Sequence, residues 1–76
     1  MEINEFIKNF ANQFDETDIT EFQPETNFRE LEEWSSLVAL AVMNMIGKKY
    51  GVKLSPDEMR TTSVIKDLFA LVQSKK

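Results

Sequence analysis

A chain of 76 residues can bury one hydrophobic core and has no room for a second domain, so residues 1–76 read as a single unit. It contains no cysteine and no histidine, which excludes a disulfide-built scaffold, argues against a metal centre, and leaves an enzyme without its usual thiol nucleophile and proton shuttle. The net charge of −4 conceals a division: residues 1–35 hold ten acidic and two basic side chains, a balance of −8, whereas residues 36–76 hold three and seven, a balance of +4.

Along the chain, Ile3, Phe6, Ile7, Phe10 and Phe14 recur at spacings of three and four, the signature of a first helix with one apolar stripe. A polar stretch from Asp15 to Glu25 follows with no sustained period, and reads as a loop with room for a turn of helix. A connection of about twenty residues is long for a small domain and needs pinning; Ile19, Phe22, Phe28 and Leu31 are the expected pins. Ser35 and Ser36 then open a second helix. Ala39, Val42, Met43, Ile46 and Tyr50 share one face and form its expected core stripe, while Leu37, Val38, Leu40, Ala41 and Met45 lie elsewhere round it. A helix that is apolar on most sides is either central or docked against something. Gly51 is placed to end it in a left-handed conformation.

Ser55-Pro56-Asp57-Glu58 has the form of a capping box with proline at the first helical position, and starts a short third helix. Thr61-Thr62-Ser63 interrupts that helix. Ser63 is the expected cap of a last helix whose stripe is Val64, Leu68, Leu71 and Val72, widened by Ile65 and Phe69. With no strand pattern and no internal repeat, the fold class is all-α: a small four-helix bundle with a long loop after the first helix and a short third helix.

Trp34-Ser35-Ser36-Leu37 through Tyr50-Gly51 resembles the modification site and second helix of acyl carrier proteins, and the order and lengths of the elements extend that resemblance over nearly the whole chain. In that family the serine of a D-S-L motif carries 4'-phosphopantetheine, whose thiol holds acyl groups as thioesters. The resemblance therefore implies covalent 4'-phosphopantetheine on Ser36, which makes the chain a phosphoprotein and a tether with no catalytic residues. It also implies partners: a phosphopantetheinyl transferase and acyl-transferring, ligating or condensing enzymes of fatty-acid biosynthesis or a related specialised lipid or polyketide pathway. One departure is that the family's aspartate before the serine is Ser35 here. That removes a negative charge from the surface the transferase reads.

Read as a residue, Ser36 sits where unpaired backbone N–H groups and the helix macrodipole favour an anion, which suits a side chain that carries a phosphodiester. A serine at a helix start is most often an N-cap. Leu37 and the spacing to Tyr50-Gly51 align Ser36 with the modified position and leave Ser35 as the cap. Where the family carries acidic residues on its second helix, this chain has Val38, Ala41, Gly47 and Lys48. The expected partner surface is consequently apolar beside Ser36, made by Ser35, Leu37, Val38 and Ala41, with acidity supplied from before it by Glu30, Glu32 and Glu33. Met43, Met45 and Ile46 are adaptable enough to shelter an acyl chain, with ordinary packing the favoured role. Trp34 is expected to pin the loop.

The competing reading is an unmodified carrier-like adaptor that binds a partner through the second helix. Nucleic acid is not an expected ligand: Lys48, Lys49 and Lys53 form a small basic cluster, but an acidic domain gains little from counterion release. Membrane insertion is not expected either, since the longest apolar run, Leu37 to Met43, is seven residues. Met1-Glu2-Ile3-Asn4-Glu5 lacks the features of a signal peptide, and the expectation is a cytoplasmic monomer.

Overall fold

A computed structural model describes residues 2–76. Among the described residues four α-helices follow one another: α1 (Ile3–Ala11), α2 (Ser36–Tyr50), α3 (Pro56–Arg60) and α4 (Ile65–Lys75). Two single 3-10 turns, Ile19–Glu21 and Phe28–Glu30, lie in the connection between α1 and α2. No strand forms among the described residues, where Asn27 and Val64 make an isolated bridge.

The apolar stripe of α1 is buried as its spacing requires over Phe6, Ile7 and Phe10, while Phe14, expected as its last member, lies beyond the helix end at Ala11 and is buried from the connection. Phe6 and Phe10 are fully buried, with Ile7 and Ala11 nearly so. Each large side chain taken out of water contributes about 1.5–3 kcal/mol, and in a chain this small such terms supply most of the stability. Phe10 is the hub: its ring centroid lies 5.5 Å from that of Phe14, 6.0 Å from Phe22 and 5.5 Å from Phe28. Phe6 turns the other way, meeting the edge of Phe69 on α4 at 5.4 Å and Tyr50 at the end of α2 at 5.7 Å. Asn9 on α1 completes that corner by donating to the Tyr50 hydroxyl at 2.9 Å.

The long connection is pinned as its length demands, though not by every expected residue. Phe22 and Phe28 are buried and Leu31 packs against the core. Ile19, by contrast, is 55% exposed, a correction to its expected role. It stands on a 3-10 turn whose neighbour Phe22 already fills the space against Phe14, at 4.9 Å between centroids. Trp34 is a pin as expected, 4.8 Å from Phe28 and nearly parallel to Phe10, at 8°. Polar contacts finish the work. The Glu33 carboxylate accepts from the backbone N–H of Asp15 at 2.6 Å and of Glu16 at 3.0 Å, and from the Thr17 hydroxyl at 2.6 Å.

The core face of α2 takes in most of the expected one and is wider. Val42, Met45 and Ile46 are buried, and Val38 packs against the core from one turn earlier. Met43 and Tyr50, expected on this face, also pack against the core, while Ala39 is half-buried; Met45 and Val38 are additions to the expected stripe. On a helix apolar nearly all round, periodicity cannot fix the edges of the face, and packing against α1 decides them. Gly51 ends α2 at φ 67°, with its N–H donating to Gly47 at 3.2 Å, as read from the sequence.

In α3 the capping box is present in full. Glu58 N–H donates to Ser55 Oγ at 3.2 Å, and Ser55 N–H donates to the Glu58 carboxylate at 3.0 Å. The other oxygen of Glu58 pairs with Lys75 and so ties α3 to the end of α4. The start of α4 departs from expectation. Its N-cap is Val64, which makes no side-chain cap, and Ser63 lies outside with its carbonyl accepting from Phe28 N–H at 2.9 Å. The loop explains this: Ile65 N–H donates to Thr26 at 3.1 Å and Lys66 N–H to Pro24 at 2.9 Å. Carbonyls from the long connection satisfy the donors that a serine would otherwise have capped.

Candidate functional site

The start of α2 separates two adjacent hydroxyls into two duties. Ser35 has extended dihedrals, φ −155° and ψ 173°, and its Oγ accepts from Val38 N–H at 3.2 Å. That is an N-cap, as anticipated. Ser36 is the first helical residue and is exposed. Among the described residues no hydrogen bond engages its hydroxyl, and the N–H groups of Ser36 and Leu37 have no backbone acceptor. An alcohol free of structural duty therefore stands at the positive end of a fifteen-residue helix.

The serine's position depends on the pinned connection below it. Glu33 fixes the backbone around Asp15 to Thr17, and Trp34 is wedged among Phe10, Phe14 and Phe28, two residues before Ser36. Hydrogen bonds hold the Glu33 carboxyl below its ordinary range, foremost that from the Thr17 hydroxyl, joined by the backbone N–H groups of Asp15, Glu16 and Thr17. Arg29 ties the same segment to the far side of the site. Its Nε–H donates to the Thr62 carbonyl at 2.9 Å and its Nη2 to the Met59 carbonyl at 2.6 Å. The guanidinium thereby satisfies carbonyls at the end of α3 and brings a positive charge near the serine.

Beside Ser36 a cleft of about 350 Å³ opens between α2 and α3, with Trp34, Leu40, Met43 and Met59 as its apolar walls and Arg29 and Arg60 at its margin. Arg60 is itself paired with Asp57 at 2.7 Å. A larger groove, about 790 Å³, lies against the later part of α2 and the α2–α3 connection and does not include Ser36. Of the residues considered for sheltering an acyl chain, Met45 and Ile46 are buried in the core, and Met43 alone lines the cleft.

The side chains expected to form the partner surface divide in the same way. Leu37 is 80% exposed, and Leu40, one turn on, is 53% exposed. Val38 is half-buried against the core, and Ala41 is half-buried at the edge of the larger groove. Glu32 is exposed, whereas Glu33 is half-buried and engaged with the loop. Leu40, Met59 and Arg29 were not singled out from the sequence as neighbours of the serine. Leu40 was within reach, since residues four apart share a helix face. Met59 and Arg29 reach the site only through tertiary packing.

Among the described residues that line the cleft beside Ser36 there is no histidine and no carboxylate. The chain has no histidine, and the neighbouring Arg29 and Arg60 are cations that accept no proton at ordinary pH. The arrangement presents an exposed alcohol at the positive end of a helix, where an anion is favoured. No helix is long and apolar enough to cross a membrane among the described residues.

A family model described as a phosphopantetheine attachment site matches residues 5–72. No curated protein and no solved structure matches the chain.

Proposed function

The chain belongs to the phosphopantetheine-attachment family, whose domain is the site of covalent 4'-phosphopantetheine attachment, and from that premise we propose that Ser36 is the residue that carries the group. The observation that supports the choice most directly is the division of labour at the start of α2. Ser35 spends its hydroxyl on the cap, and Ser36 keeps its own free. A phosphodiester at Ser36 Oγ adds one negative charge beside unpaired N–H groups, which the helix end favours by about 0.3–1 kcal/mol. The guanidinium of Arg29 adds to that field.

Residues 1–76 then act as one non-catalytic carrier. The attached arm supplies a thiol that holds an acyl group as a thioester, and tethering raises the effective concentration of that group for whichever enzyme docks. The cargo belongs to a fatty-acid or related specialised lipid or polyketide pathway, and the work is done in the cytoplasm. The transferase and the acyl-transferring, ligating or condensing enzymes meet the surface formed by Ser35, Leu37 and the exposed side of α2, with Glu30 and Glu32 at its acidic side. Val38 and Glu33 support that surface from beneath. Any shelter for the acyl chain is the cleft beside Ser36, whose walls include Met43 and Met59, and not the filled core.

The substitution of serine for the family's aspartate before the attachment site fits the same picture. Serine and aspartate cap helices about equally well, so position 35 keeps its structural duty and loses only its charge. Incubation with coenzyme A and a broad-specificity phosphopantetheinyl transferase, followed by intact-mass measurement, tests the assignment. Wild type should gain a single phosphopantetheine and Ser36→Ala none. No gain in either protein would return the chain to the reading of an unmodified adaptor that binds through α2.

A further inference from the structure

The larger groove on α2 has a consistent electrostatic character that the carrier reading does not use. Its floor is apolar, from Leu40, Ala41 and Met43, and its rim carries Lys48 and Lys53. No carboxylate lines it, and α2 has no acidic residue along its whole length from Ser36 to Tyr50. Lys48 and Lys53 are exposed, and among the described residues neither has an ion-pair partner. Leu40 stands at the end of the groove nearer Ser36, 53% exposed, and Lys48 lies eight residues further on, which is about 12 Å along the helix axis.

From this pattern we infer that the groove docks an acidic protein partner, one that seats an apolar side chain against Leu40 and Met43 and places carboxylates about two turns away, opposite Lys48 and Lys53. The inference deepens the carrier reading, resting on it for the partner's role, and it fixes the polarity of the contact. Charge complementarity selects the sign. Apolar burial beside Leu40 supplies affinity, and the lysines set orientation and speed of encounter. A broad polyanion fits less well. The chain as a whole is acidic, at −4, and Lys48 and Lys53 are the cations that line the groove, so a discrete protein surface that confines its acidity to the lysine end suits it better than a membrane or duplex.

The test uses full-length Ser36→Ala protein, so that modification plays no part and a failure here stays separate from a failure of the carrier assignment. The probe is an alanine-based helical peptide with two leucines four residues apart and glutamates two turns further along the same face; its counterpart has lysines in place of the glutamates. Amide shifts of the protein are followed during titration. The acidic peptide should perturb Leu40, Gly47, Lys48, Val52 and Lys53 and bind about tenfold more tightly than the lysine peptide, with the preference lost in Lys48→Glu/Lys53→Glu. Both reversals lie at exposed positions, and circular dichroism should show a native helix content. Equal or tighter binding of the lysine peptide, or shifts confined to the surface around Glu30 and Glu32, would overturn the inference. So would phosphatidylglycerol vesicles that bind through the same two lysines more tightly than the acidic peptide does.

Discussion

The connection between α1 and α2 and the first two turns of α2 are neighbours in sequence and opposites in physical character. In the connection the side chains that lead to the site are engaged: Phe22 and Phe28 are buried, Trp34 lies among phenylalanines, Glu33 accepts three hydrogen bonds, and Arg29 reaches across to α3. Beyond Ser35 the pattern reverses. Ser36 has a free hydroxyl, and Leu37 and Leu40 stand in water at 80% and 53% exposure. The lesson is that the segment that looks irregular carries much of the packing, and the regular helix presents the unspent groups. A mobile arm needs a fixed base, and the pinned connection provides it.

Substitutions should break this contrast in a definite order. Phe10→Ala, which empties the centre of the aromatic cluster, should cost about 3–5 kcal/mol in urea unfolding, close to the whole stability of a chain this small. Glu33→Gln should be milder and depend on pH. The native carboxyl is held below its ordinary value of 4.5, so its contribution is fully present above that pH and is lost as pH falls through the lowered native value. The stability gap between wild type and Glu33→Gln should therefore be widest near neutrality and close in acid; a gap unchanged by pH would mean that the loop is held without the charge.

The two serines sharpen the comparison further. Ser35→Ala should cost about 1 kcal/mol, as the loss of an N-cap does, and leave the attachment site usable. Ser35→Asp should keep the cap, gain about 0.3–1 kcal/mol from the helix dipole, and speed loading by restoring the charge the family carries there. Ser36→Ala should change unfolding free energy by no more than about 0.5 kcal/mol, since the hydroxyl it removes makes no contact in the fold. If the stabilities of Ser35→Ala and Ser36→Ala were reversed, the cap would have been assigned to the wrong residue.

What was legible in the sequence was what local chemistry decides. The stripe of α1 from Ile3 to Phe10, the left-handed Gly51 and the Ser55-Pro56-Asp57-Glu58 box depend on neighbours within a turn, and each is found as read. Ser35 as cap and Ser36 as first helical residue belong with them. The core face of α2 was legible in part: Val42, Met43, Ile46 and Tyr50 were read, whereas Val38 and Met45 were not, because a helix apolar on most sides gives its inner face no sharp edge until α1 packs on it. The start of α4 was missed for a related reason: Ser63 has the right side chain, but Thr26 and Pro24 offer carbonyls from far along the chain and remove the need for it. Around the site, Glu33 looked like a surface charge since nothing in its own sequence neighbourhood reveals that Asp15, Glu16 and Thr17 fold back onto it. Arg29 and Met59 reached the serine in the same non-local way.

The most direct test of the assignment is peptide-level mass spectrometry of the wild-type protein after loading from coenzyme A, which distinguishes adjacent serines. The account predicts the whole phosphopantetheine increment on Ser36 with Ser35 bare. An increment on Ser35, or one shared between the two, would contradict it.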